Sequence, residues 1–134
     1  MVTGVKASRV TGMVLHVLVG GLMIFAGLGK VIGFAPAEVV KKMGDFGLGD
    51  RITLIGVGEI TSALLLLVPL TSSLGVQSTS AFWGGVICIT MAHGESYVLG
   101  CVMLVLTWVG AYLRDRATLA SFHRAFSKAP THEL

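Results

Sequence analysis

One carboxylate, Glu59, interrupts the apolar run Ile52–Leu70. It follows Ile52 by seven residues, about 10 Å along a helix that rises about 1.5 Å per residue. An ionised side chain near the centre of a bilayer costs about 2.5–3.5 kcal/mol on insertion scales, so it should face protein and find a partner. Its charge then depends on whether a cation faces it. Lys30 closes the preceding apolar run, Arg51 stands just before Ile52, and His93 closes the run that follows, with Glu95 two residues on. If these runs are antiparallel helices, a carboxylate, a cation and an imidazole from three helices meet under one rim. The arrangement has two readings. One is an ion pair, Glu59 with Lys30, that locks the helices together and takes no substrate. The other is a polar ligand or proton-handling site formed by Lys30, Arg51, Glu59 and His93.

Other reactive side chains stand apart. His16 lies about two turns inside the first run, at the opposite end from His93. The two cannot supply axial ligands to one haem plane, and His16 reads as a hydrogen-bonded core or interface residue. Cys88 and Cys101 are isolated in apolar stretches, without Cys-x-x-Cys or Cys/His spacing for a metal. They read as small, buried, inert side chains. Their depths are comparable, so a disulfide is possible if their faces match. No catalytic group and no metal ligand is assigned.

The elements that would position these residues are four runs of about 20 residues, the length a spanning helix needs. They cover about 10–34, 52–70, 74–93 and 96–113. Nothing alternates with the period of two that a membrane barrel requires. Thr71-Ser72-Ser73 and Gly94-Glu95 are links short enough to force antiparallel neighbours. The expected fold is therefore all-α, an up-down-up-down bundle of four transmembrane helices. The longer link, Ala35–Arg51, holds Pro36 and a short extracytoplasmic helix, Ala37–Lys42, that Gly44 would end. The first run is too long for a signal peptide, whose apolar region spans about 7–15 residues, and reads as a retained span. Glycines recur in every run, which suits close helix packing in lipid.

Of 134 residues, 54% are hydrophobic and 13% charged, where a soluble domain carries about 25% charged residues. That shortage points to lipid as the solvent of a single domain, residues 1–113. The net charge of +3 sits mainly beside the apolar runs, where a membrane face rather than a nucleic acid is the partner. Lys6, Arg9, Arg114, Arg116, Arg124 and Lys128 share one side, against Lys30, Lys41, Lys42 and Arg51 on the other. The positive-inside rule then puts both termini in the cytoplasm, across an inner (cytoplasmic) membrane. Residues 114–134 form a basic tail in which Leu119, Phe122 and Phe126 recur at helical spacing. It reads as an amphipathic helix on the membrane surface, a docking helix, or a positive-inside tail.

Three segments resemble those of DoxX-like membrane proteins. Gly27-Leu28-Gly29-Lys30-Val31-Ile32-Gly33-Phe34 is similar to the end of their first helix. Ile55-Gly56-Val57-Gly58-Glu59 through Leu67-Val68-Pro69 looks like their second, and Met91-Ala92-His93 the end of their third. The resemblance covers about residues 10–113. It implies a four-helix membrane domain, with Lys30, Glu59 and His93 at recurring polar positions. It also implies a family that includes subunits linked to quinone reduction and assembly factors for membrane complexes. Two functional expectations follow. The first is an accessory or assembly subunit that packs against other membrane subunits or against itself, in an electron-transfer complex. The second is a quinone-binding subunit, with a quinone or lipid as bound cofactor and a lipid-accessible cleft beside Glu59. A small-molecule transporter is the weaker third, since neither repeated halves nor broken helices are present.

Overall fold

The computed structural model describes residues 2–114 and is all-α, with no strand among the described residues. Five helices follow in order: α1 (Val2–Ile32), α2 (Ala37–Asp45), α3 (Ile52–Leu67), α4 (Ser72–Ala92) and α5 (Val98–Arg114). Short 3-10 turns, Gly49–Arg51 and Pro69–Thr71, lead into α3 and α4. The amphipathic tail expected after Leu113 lies outside the described residues.

The four long helices pack as a closed ring in the order α1, α3, α4, α5, with α5 returning to α1. Every neighbouring pair runs antiparallel. Gly20 of α1 meets Leu67 of α3, while Gly27 meets Gly56 and Ile60. Gly75 of α4 lies against Leu65 and Leu66, and Gly100 of α5 against Ile87. His16 on α1 reaches Thr107 on α5, closing the ring.

Helix ends depart from the apolar runs for identifiable reasons. α1 begins eight residues before Val10, because polar residues can extend a helix beyond an apolar stretch. α3 stops at Leu67, since Val68 precedes Pro69 and is extended (φ −74°, ψ 121°), as the proline ring demands of its predecessor. α2 runs past Gly44 to Asp45, with Phe46 as its cap and Gly47 (φ 71°) in the left-handed position just beyond. There Leu48 N–H donates to Met43 O and Gly47 N–H to Gly44 O. This is a Schellman motif, whose left-handed residue favours glycine. The same motif ends α4, with Gly94 at φ 68° and Glu95 N–H donating to Thr90 O.

Two helical stretches, Lys6–Ile32 and Pro69–Ala92, are long and apolar enough to cross a membrane. The sequence suggests four such spans. α3, at 16 residues, and α5, with 17 among the described residues, are shorter.

The bundle encloses several polar groups within an apolar core and exposes many large apolar side chains. The buried set includes His16, Glu59, Ser62, Thr79, Thr90 and Thr107 beside Val19, Met23, Leu66 and Trp83. The outer faces of α1, α3 and α5 expose Val14, Val17, Leu18, Phe25, Leu54, Val57, Leu64, Val102 and Val105. Several buried hydroxyls are satisfied within their own helices: Ser62 donates to Gly58 O, Thr90 to Val86 O and Thr107 to Met103 O, each at 2.8 Å. Such local bonds let polar groups sit inside the bundle without a partner helix.

Candidate functional site

Lys30 ends α1 and Glu59 sits two turns into α3. The crossing of these helices is close because Gly27 and Gly56 face each other, where an added Cβ would meet the opposing carbonyl oxygen at 2.8 and 2.7 Å. That proximity lets Lys30 reach across to α3. Its Nζ donates to Glu59 Oε2 at 2.5 Å and lies 3.5 Å from Ala26 O. The side chains are 9% and 4% exposed, so the pair is buried. Glu59 Oε1 makes no hydrogen bond among the described residues.

The wider cluster expected from the sequence does not assemble around this pair. Arg51 is exposed in the 3-10 turn before α3 and makes no ion pair among the described residues. His93 is also exposed. As the residue that caps α4, it turns Nδ1 to Ile89 O at 2.9 Å and packs its ring on Phe46, centroids 4.4 Å apart. Glu95 pairs with Lys42 of α2 at 2.7 Å. His93 and Glu95 thus clasp α2 to the α4–α5 turn and take no hydrogen bond to Glu59 or Lys30. The physical reason is local: the Schellman turn at Gly94 directs both side chains toward α2.

Two features escaped the sequence. The buried indole N–H of Trp83 has no hydrogen-bond partner among the described residues. The bond from Thr79 Oγ1 to Ser62 O at 3.5 Å fixes the register of α3 against α4. Glu59 is three residues before Ser62 and Trp83 four after Thr79, so the antiparallel helices bring them to one level, within about 1.5 Å. A donor and an unused carboxylate oxygen therefore share a layer of the bundle. A signal existed, since a tryptophan inside a polar-lined bundle has an N–H to satisfy, but the register was needed to read it.

The second feature joins His16 to Arg114. His16 is 2% exposed, as expected of a hydrogen-bonded core residue. Its Nε2 faces Thr107 O at 3.1 Å. A carbonyl only accepts, so Nε2 carries the proton and Nδ1 accepts from Arg114 Nη1 at 3.3 Å. Arg114 Nη1 also reaches Leu66 O at 3.4 Å.

Both cysteines are free, and Cys88 is exposed on α4 where the sequence reading had it buried. It falls on the outward side of the helix. Among the described residues, no group of three histidine, cysteine, aspartate or glutamate side chains is placed to hold a metal ion. No protein-family model, curated protein or solved structure matches the chain.

Proposed function

We propose that the protein is a multi-pass membrane protein, crossing an inner membrane with α1, α3, α4 and α5 and keeping both termini in the cytoplasm. In this reading it serves as an accessory or assembly subunit of a larger membrane complex, of the electron-transfer type that the DoxX-like resemblance implies. The observation that carries the proposal is the outer surface. Large apolar side chains cover α1, α3 and α5, among them Phe25 at 79%, Leu54 at 65% and Val105 at 58% exposure, while the buried layer includes several polar groups. Lipid is the solvent that suits such a surface.

The case for a protein partner comes from α4. Its exposed large hydrophobics are Leu74 and Met91, near its ends. Between them Gln77, Ala81, Gly85 and Cys88 turn outward at helical spacing. Gln77 makes no hydrogen bond among the described residues, and an added Cβ at Gly85 meets nothing within 4 Å. Small residues permit close helix approach in lipid, and a glutamine amide gains from a partner there. Mild-detergent extraction followed by a native gel tests the proposal. Co-migration of the wild type with a larger assembly, lost in Gln77→Leu, supports it. Migration of the wild type as a lone bundle refutes it.

A second reading, a quinone-binding subunit, is favoured by the shared layer of Trp83 N–H and Glu59 Oε1. A donor and an acceptor at one depth suit a ligand with a carbonyl and a hydroxyl. Against it, Lys30 and Glu59 are closed off from the surface and His93 faces Phe46. Stoichiometric quinone in the purified protein, lost in Glu59→Gln, would select this reading.

A further inference from the structure

The link between α1 and α3 is longer than its ends require, because those two helices are neighbours in the ring. Ala35 turns back on α1, 3.6 Å from where a Cβ on Gly29 would stand. From there α2 reaches the α4–α5 turn, where Lys42 pairs with Glu95 at 2.7 Å and Phe46 packs on His93. In the ring order α1, α3, α4, α5, the helices α1 and α4 stand on a diagonal. A helix of 9 residues is about 13 Å long. Four helices with axes about 8–10 Å apart have a diagonal of about 11–14 Å. α2 therefore lies across the end of the bundle nearest Lys30 and Glu59. Its attachment there is slight. None of its residues is buried, and Val39 and Met43, four apart on one face, are only half-buried. The Lys42 and Glu95 side chains are 46% and 44% exposed, so water and salt compete with their pairing. Left-handed glycines flank the helix, Gly33 at φ 78° and Gly47 at φ 71°. A Cβ added at either meets nothing within 4 Å, so both turns have open space around them.

We propose that α2 is a latched lid over this end of the bundle, hinged at Gly33 and Gly47 and latched by the Lys42–Glu95 and Phe46–His93 contacts. Closed, it covers the mouth above the buried Lys30–Glu59 pair. Open, it admits water and small solutes toward that pair. Hinges of this kind are a few loop residues that absorb the backbone rotation while the helix moves as a unit. The latch consists of one exposed ion pair and one ring contact, so removing either shifts the population toward the open form. Thr90 marks the threshold. It stands three residues before His93, about 4.5 Å inside the end of α4, and is buried. The lid does not depend on which side of a membrane this end faces, nor on a partner at α4.

The test uses the full-length protein in mild detergent, with Thr90→Cys as its sole cysteine in a Cys88→Ala, Cys101→Ala background. The rate of reaction with an uncharged, water-soluble maleimide reads opening. Thr90→Cys should react at least about ten-fold more slowly than Val40→Cys, an exposed position on α2, in the same background. Glu95→Gln should speed the reaction about two- to five-fold, and Phe46→Ala should speed it further. Added salt should do the same while Glu95 is present and nothing in Glu95→Gln. Lys41→Gln, also on α2 but outside both ion pairs among the described residues, leaves the rate unchanged. Thr90→Cys reacting as fast as Val40→Cys, or indifferently to both latch variants, overturns the lid. If Thr90→Cys does not fold, spin labels at Lys41→Cys and Leu99→Cys, both exposed, decide the matter. Two separations should appear, the longer one gaining in Glu95→Gln. A single separation unmoved by that change overturns the lid.

Discussion

Lys30 and Glu59 form a buried pair, and such pairs respond asymmetrically to mutation. Removing one partner leaves an uncompensated charge, which costs about 3–5 kcal/mol, whereas replacing both with apolar groups is often neutral. Lys30→Met alone should therefore lower the thermal stability of the detergent-solubilised protein sharply. Lys30→Met with Glu59→Met should recover most of the loss. A double variant as unstable as the single one would mean that the pair is not what makes Lys30 necessary. The pair Lys42–Glu95, with side chains 46% and 44% exposed, is a contrasting case. Glu95→Gln should change stability by less than about 1 kcal/mol in the same assay. The buried pair was legible in the sequence because a carboxylate inside an apolar run needs a cation, and Lys30 lay within reach. Arg51 and His93 were grouped with it on depth alone. Depth does not fix the direction of a side chain, and the turn at Gly94 sends His93 toward Phe46. Arg114 was read as a charge closing a span, because its return to His16 depends on the register between helices that bring together residues 98 apart in sequence.

At the scale of the helices, close approach rests on particular glycines. A Cβ added at Gly75 would overlap the backbone of Leu65 and Leu66, which cannot swing aside as a side chain can. Gly75→Ala should cost at least about 1–3 kcal/mol, the usual range for overpacking. At Gly21, where an added Cβ meets nothing within 4 Å, alanine should change stability by no more than about 1 kcal/mol. Thermal unfolding of the two variants side by side checks the contrast, and equal effects would contradict the packing described for α3 and α4. Four helices with short antiparallel links were readable from hydropathy and turn residues. Their ends were less so. Hydropathy reports contact with lipid, while a helix ends where its backbone geometry changes. Hence Val68 stops α3 ahead of Pro69 inside an apolar run, and α1 continues outward through Arg9 and Lys6 without losing its hydrogen bonds.

For the whole molecule, two helical stretches, Lys6–Ile32 and Pro69–Ala92, are long and apolar enough to cross a membrane. Polar groups at His16, Glu59, Thr79 and Thr107 are enclosed, and the faces turned away from them carry valine, leucine and phenylalanine. α4 differs from the other three long helices in exposing a glutamine, Gln77, between Leu74 and Met91, and the proposed protein partner would sit on that side. The central claim is that all four long helices cross the membrane. It is tested most directly by labelling single cysteines in intact membranes with an impermeant maleimide, in a background carrying Cys88→Ala and Cys101→Ala. Val17→Cys, Val57→Cys, Ala81→Cys and Val105→Cys should all resist labelling until detergent is added, while Glu38→Cys reacts from the outer side. Reaction of any one of the four mid-helix cysteines in intact membranes would remove that helix from the bilayer and contradict the account.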